Sequence, residues 1–200
     1  MKEFWNDRFE KEDFIYGEEP NTFFKSQLDS INSCGKSLFP MEGEGRNACY
    51  ASNMGWEVDA FDYSEAGKRK AEQLCNKKQF SINYSISTAQ DYNYQPNTYD
   101  LVVLIYAHLQ PEWRHQFHQN IFKSLKPGGR LVLEAFHPNQ LTQHYTSGGP
   151  KNQDMLYTLQ MLEKDFQNMT KIQGEELEIQ LDEGKYHEGK GFVTRLTGVK

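Results

Sequence analysis

Short continuous apolar runs alternate along this chain with charged segments that carry apolar residues at helical spacing. The strongest run is Tyr99 to Tyr106 (YDLVVLIY), unbroken in the way of a strand buried on both faces of a parallel sheet. A shorter run at Ser37 to Phe39 predicts a first strand, and Trp56 to Asp62 and Phe80 to Ser87 predict two more. Helices are predicted between them, at roughly Arg46 to Met54 and Ser64 to Asn76. Pro111 is suited to the first position of the next helix, where its missing N–H costs nothing. Trp113, Phe117, Ile121 and Leu125 then recur every fourth residue as its core stripe. Lys126-Pro127-Gly128-Gly129 stops that helix, and Arg130 to Phe136 reads as the following strand.

Strands and helices in this rhythm imply right-handed crossovers and a parallel sheet covered by helices on both faces. Beyond Phe136 the pattern changes. A helix near Asp154 to Phe166 leads into two alternating runs, Leu177 to Leu181 and Phe192 to Leu196, joined by the polar stretch around Gly184 and Gly189. Two strands so connected pair antiparallel. The expected fold is α/β and Rossmann-like: a mostly parallel sheet that closes with an antiparallel C-terminal pair.

Composition narrows the classes. Two hundred residues suit one domain with a full core. The net charge of −6 argues against nucleic acid or an anionic membrane as the main partner, since phosphates need a basic face. Cys34, Cys49 and Cys75 are odd in number and form no CxxC pair, which reads as reduced thiols in a cytoplasmic protein. The N-terminus MKEFWNDRFEKEDF carries acids where a signal peptide needs an apolar run, and no stretch reaches membrane-spanning length.

The candidate chemistry begins at Gly43-x-Gly45-x-x-Ala48, which follows a predicted strand and opens a helix. Glycines there permit a tight turn and a close approach of backbone to ligand. Asp62 ends the next strand, where an acid can accept both hydroxyls of an adenosine ribose. A nicotinamide-dependent dehydrogenase carries a similar fingerprint. Such an enzyme normally has a further substrate domain, and the antiparallel terminal pair fits it poorly.

The segment Glu42-Gly-Glu-Gly-Arg-Asn47, the AFDYS that contains Asp62, the run YDLVVLIYAHL, then LKPGG and LVLEAF resemble successive motifs of class I S-adenosylmethionine-dependent methyltransferases. More narrowly, WNDRF, YGEEPNTFF, GGP with LYTL, and the ending LDEGKYHEGKGFVTRLTGVK are similar to a small bacterial group related to tellurite-resistance and thiopurine-type methyltransferases. The resemblance implies a seven-stranded sheet with S-adenosylmethionine across the carboxyl ends of its strands. It assigns Glu42, Gly43, Gly45 and Asn47 to the cofactor loop, with Asp62 on the ribose and Tyr63 over the adenine. Ala89 and Gln90 would edge the adenine, and Ile105 and Tyr106 would floor the site. Three positions depart from the family pattern. Phe39 and Pro40 stand where the first strand usually ends in an acid, Met41 where a first glycine is common, and Thr88 where an acid often follows the third strand.

Methyl transfer needs alignment of the nucleophile, exclusion of water and in some cases removal of a proton. His108, His137 and His144 follow strands on the predicted ligand side and are candidate bases, although a capping role accounts for each as well. His115 and His118 are three apart on one helix but lack Cys or carboxylate partners at ligand spacing, so no metal is expected. The resemblance implies that residues 1–34 form a helical cap on a catalytic core of residues 35–200, although an amphipathic segment packed on the sheet accounts for its aromatics as well. Within the cap, aromatic Tyr16 and Phe24 are the candidates for contact with the acceptor or the sulfonium.

The function expected is methyl transfer to a small-molecule nucleophile, whether thiol, metalloid oxyanion or heteroaromatic, without nucleic-acid or membrane partners. The alternatives are a cofactor-binding protein without efficient transfer and a small NAD-dependent oxidoreductase. The acceptor and the oligomeric state do not follow from the residues.

Overall fold

The computed structural model describes residues 2–11 and 13–200, so Met1 and Glu12 of the predicted cap lie outside the described residues. Two short helices lead the chain, α1 (Lys2–Phe9) and α2 (Thr22–Asp29). The Asn21 side chain starts α2 by accepting the Phe24 N–H at 2.9 Å. The alternation then runs β1 (Lys36–Pro40), α3 (Arg46–Asn53), β2 (Glu57–Asp62), α4 (Glu65–Lys77), β3 (Asn83–Ile86), β4 (Tyr99–Ile105), α5 (Pro111–Ser124) and β5 (Leu125–Phe136). Ser64 caps α4 through the Gly67 N–H, and Pro111 occupies the first turn of α5. A four-residue turn of helix, α6 (Asn139–Thr142), and α7 (Leu159–Asp165) precede the long strands β6 (Thr170–Asp182) and β7 (Glu188–Val199).

The seven strands form one sheet in the order β3-β2-β1-β4-β5-β7-β6. The pairs among β1 to β5 are all parallel, and β7 runs antiparallel to both β5 and β6. The strand β6 therefore points the same way as β5, and its carboxyl end lies on the same edge of the sheet as those of β1, β2 and β4. The order reverses between β1 and β4, the switch point at which open α/β sheets bind ligands.

One apolar layer, with Phe24, Leu28, Ala48, Ala51 and Ala71, seats α2, α3 and α4 on one face of the sheet. The other, with Phe117, Ile121, Leu162 and Phe166, seats α5 and α7 on the opposite face. Small residues on α3 and α4 let these helices lie close to the strands.

Four expectations need correction. Trp113 is 48% exposed and does not belong to the core stripe of α5, which keeps Phe117 and Ile121, while Leu125 is buried as the first residue of β5. Lys126 to Gly129 form no separate stop, because Leu125 already turns to ψ 139° and pairs with Tyr99 across a bulge. The helix expected from Asp154 begins only after Thr158, whose hydroxyl caps it; Gln153–Met155 form a single tight turn. Phe24 packs edge-on to Phe39 and Tyr50 inside the core, so it cannot meet an acceptor. Among the described residues no helix is long and apolar enough to cross a membrane.

Candidate active site

The loop after β1 turns through three left-handed residues, Met41 (φ 56°), Gly43 (φ 60°) and Gly45 (φ 83°). The turn folds the Glu42 carboxylate back onto the start of α3, where it accepts the N–H groups of Asn47 at 2.9 Å and Ala48 at 2.8 Å. Those are orphan donors at the positive end of the helix dipole, so the chain supplies its own anion there. Burial nevertheless pushes the Glu42 carboxyl up to about 7. Asp62 at the end of β2 accepts Ser64 N–H at 2.9 Å and Gly43 N–H at 3.3 Å. Burial outweighs these bonds and raises the Asp62 carboxyl to about 6. The Tyr84 hydroxyl holds the other side of the loop by donating to the Gly43 carbonyl at 2.8 Å.

The N-terminal segment is stitched onto this loop. Glu44 accepts the N–H groups of Ile15 and Tyr16 and pairs with Lys70 at 2.8 Å. Arg46 donates to the Tyr16 carbonyl and pairs with Glu183 at 2.8 Å. The Asn47 side chain accepts the Asn21 N–H, and Asn21 in turn donates to Glu134 and Glu183. Residues 13–21 therefore lie over the carboxyl edge of the sheet, held by buried polar bonds from three elements.

Under this cover lies a cavity of about 840 Å³, a size typical of small-molecule sites. Glu42, Gly43, Asn47, Asp62, Tyr63, Ala89 and Gln90 line one end. Ile105, Tyr106, His108, Phe136 and His187 line the other, and Trp5, Arg8, Phe9 and Tyr16 close over it. Tyr106, just past β4, is itself left-handed (φ 55°). Its hydroxyl donates to the fully buried Glu134 at 2.7 Å, and its ring stacks on Phe136. Thr88, where the resemblance led us to look for an acid, donates its hydroxyl to Asp91 and accepts the Asp91 N–H.

Several candidates fall elsewhere. Gly45 does not line the cavity; a Cβ on it would meet Ala71 of α4 at 2.4 Å, so its role is helix packing. His137 and His144 also lie outside, the first packed on Phe192 and accepting the Asn139 N–H, the second exposed. His108 lines the cavity, but Nε2 accepts the Phe136 N–H at 3.1 Å and Nδ1 meets the Met155 carbonyl at 2.7 Å. Both nitrogens are committed, and burial lowers its pKa to about 4, so it is a neutral strut and not a base. His115 and His118 instead join Arg114 around Asp165. No group of three or more metal-binding side chains occurs among the described residues.

The sequence reading missed His187. It lies in the β6–β7 connection, which only the strand direction of β6 brings to the ligand edge. Its faint signal was a histidine between Gly184 and Gly189 in the connection of two terminal strands.

No curated protein compared is similar to the chain in sequence. Residues 41–129 match the methyltransferase-domain family. In fold the chain is similar to TehB from Haemophilus influenzae, with a TM-score of 0.71 and 18% identity over 100% of this chain and 66% of that one. It is also similar to phosphoethanolamine N-methyltransferase 2 from Haemonchus contortus, solved with phosphomonomethylethanolamine and S-adenosylhomocysteine (TM-score 0.70, 16% identity, 98% of this chain and 56% of that one). A third match comes from work on conversion of a disulfide bond into a thioacetal group during echinomycin biosynthesis (TM-score 0.79, 12% identity, 100% and 91%). Residues 41–129 thus carry the match to the methyltransferase-domain family, within a fold that the chain shares with these structures.

Proposed function

We propose that the chain methylates a small-molecule nucleophile held at the Tyr106–His187 end of the cavity, with the cofactor at the Gly43–Asp62 end. The observation that carries this is the continuity of one covered cavity between the two ends.

The donor set fits an adenosyl sulfonium. Asp62 is a buried carboxylate with two N–H partners and lone pairs to spare, suited to a ribose diol. Gly43 offers backbone without a side chain, and Tyr63, Ala89 and Gln90 offer a flat, mixed surface for a base. Trp5, Tyr16 and Tyr106 present aromatic rings, whose faces attract a cation. When bound, S-adenosylmethionine supplies an electrophilic methyl group.

The protein's own part is to align and to exclude water. Tyr106 is fixed by its bond to Glu134, and residues 13–21 are fixed by Glu44 and Arg46, so the walls are set before ligands arrive. Arg8 lies 4.5 Å from the Tyr186 ring and 5.1 Å from that of Trp5, tying α1 to the β6–β7 connection across the mouth. With aromatic walls and few free charges, the acceptor is a compact, largely apolar molecule.

Titration calorimetry with S-adenosylhomocysteine, followed by turnover on thiols, phenols and metalloid oxyanions, tests the reading. Micromolar binding with turnover on a small acceptor is the expected result. Absence of binding overturns the cofactor site, and binding without any transfer overturns the catalytic reading.

A further inference from the structure

We propose that His187, oriented by Glu183, takes the proton from the methyl acceptor, so the acceptor of this site is a protonated nucleophile such as a thiol. The inference rests on the reading above of where cofactor and acceptor lie.

The strand β6 ends at Asp182 on the ligand edge, and the chain turns back through Glu183 to His187 before β7. Two backbone bonds close the turn, Glu183 N–H to the His187 carbonyl at 2.8 Å and His187 N–H to the Gly184 carbonyl at 3.0 Å. The imidazole is bracketed by Tyr16 at 4.5 Å, Tyr106 at 4.6 Å and Phe136 at 5.4 Å between ring centroids. Its Nδ1 lies 3.5 Å from the Glu183 carboxylate and makes no regular hydrogen bond. No group among the described residues bonds Nε2, on the side of Gly148, which also lines the cavity. His187 is therefore a cavity histidine whose nitrogens are not committed to backbone, unlike His108. Gly148 keeps the flank open: a Cβ there would stand 2.6 Å from the ring Cδ2.

Glu183 has the attributes of a positioning residue. Arg46 at 2.8 Å and the Asn21 amide at 2.9 Å pin its carboxylate from two other elements. Burial works against its charge, yet the Arg46 guanidinium holds the carboxyl below the usual carboxylate range. A carboxylate at Nδ1 selects the tautomer with its proton there and leaves the Nε2 lone pair for a substrate proton, the base-plus-orienter arrangement of many nucleophilic sites. The groups that set the charge of His187 come from each element around it. Burial and the cations Arg46 of α3 and Arg8 of α1 disfavour the imidazolium, whereas Glu183 favours it. His108 beyond β4 is neutral, and Tyr16 and Tyr106 face the ring as neutral phenols. The result is a pKa below the ordinary histidine value and a ring that is neutral and able to accept a proton.

In the step, Nε2 removes the acceptor's proton while the acceptor's lone pair forms the new bond to the methyl carbon. The carbon–sulfur bond to the departing thioether breaks, and its electron pair stays on that sulfur. His187 leaves the step as imidazolium and returns its proton to solvent. A metalloid oxyanion attacks through a lone pair on the metalloid, an atom that carries no proton, and would need no such base.

The test compares the wild type with His187→Gln and Glu183→Gln, using 2-mercaptoethanol and thiophenol as probes beside selenite. S-adenosylhomocysteine affinity and circular dichroism are measured first, so that loss of the fold or of the cofactor site is seen separately. With both retained, His187→Gln is expected to lower turnover of 2-mercaptoethanol about a hundred-fold or more, and that of thiophenol, already largely ionised near neutral pH, much less. It should also abolish the acidic limb of the pH profile, leaving a rise that follows only the thiol. In the free protein, nitrogen NMR of the imidazole should show a proton on Nδ1, and Glu183→Gln should move the His187 titration to lower pH. Superposable pH profiles for wild type and His187→Gln overturn the proposal, as do an Nε2–H tautomer and turnover confined to selenite.

Discussion

Asp62 accepts the Gly43 backbone N–H at 3.3 Å, so the acid that ends β2 and the glycine that turns the chain after β1 fix one another. The acid cannot shift without loosening the loop, and the loop cannot flatten without stranding the acid. Burial leaves the carboxyl at about 6, against an ordinary 3.8. A group raised in this way stabilises the fold while protonated, and that contribution is lost as pH climbs from 4 to 6.

Asp62→Asn should therefore change stability and binding in opposite directions. At pH 7.5 the free variant is expected to escape a charge cost of up to about 3 kcal/mol, the equivalent of the shift, offset in part because its single amide oxygen accepts only one of the two N–H groups, and to lose the fall in stability between pH 4 and 6. Its affinity for S-adenosylhomocysteine should drop by about 1–3 kcal/mol, and wild-type affinity should weaken below pH 6 as the acceptor is protonated. Chemical denaturation and calorimetry across pH check both arms. A variant that is less stable and binds as well as wild type would contradict the assignment.

Met41 adopts φ 56°, a conformation that costs a side-chain-bearing residue about 1–2 kcal/mol. Met41→Gly removes that cost and also a half-buried side chain packed on the core, so its stability should stay within about 1 kcal/mol of wild type. Met41→Val, β-branched at the same φ, should lose about 2 kcal/mol or more. Melting curves decide it; equal losses in the two variants would show that the backbone is not what matters.

Gly43 and Gly45 should part company under substitution. A Cβ on Gly45 would stand 2.8 Å from the Ala71 Cα, so Gly45→Ala must push α3 from α4 and should cost about 2–4 kcal/mol. On Gly43 the new carbon meets only the Phe9 ring tip at 3.0 Å, a side chain that can move. Gly43→Ala should thus lose about 1–2 kcal/mol of stability but reduce S-adenosylhomocysteine affinity at least ten-fold. A Gly43→Ala variant of normal affinity would place the ligand elsewhere.

A deletion that tests the cap must stop before residue 13. Removing residues through Phe24 would take away Asn21, which bonds two buried glutamates, and a fully buried core ring. Removing residues 1–11 takes away α1 with Trp5, Arg8 and Phe9, and leaves the Glu44 and Arg46 bonds to Ile15 and Tyr16. The fold should survive and cofactor affinity should fall modestly. Turnover should fall much further, since water enters. Turnover per folded molecule equal to that of the full chain would show that α1 merely packs.

Much of the fold was legible because it rests on local regularities. The unbroken run at Tyr99 to Ile105, the charged segment Ser64 to Asn76 and Pro111 at the head of α5 each announce an element without reference to the rest of the chain. Trp113 was misjudged for the same reason: period alone cannot tell a core stripe from a rim that faces a cavity. At the site, Gly43 and Asp62 were visible because turn geometry and a strand-end acid leave a mark at fixed spacing.

By itself, the sequence determined the alternation of strands and helices, the turn after β1 and the acid after β2, since each depends on neighbours within a few residues. Only the tertiary structure decided which histidine faces the ligand space. The imidazoles of His108, His137 and His187 are chemically alike; what separates them is whether a backbone N–H or carbonyl from a distant strand reaches the ring. For His108 it does, at Phe136 and Met155. For His187 no such group does; its neighbour Glu183 is instead pinned by Arg46, a contact made across 137 positions of chain that no local pattern encodes.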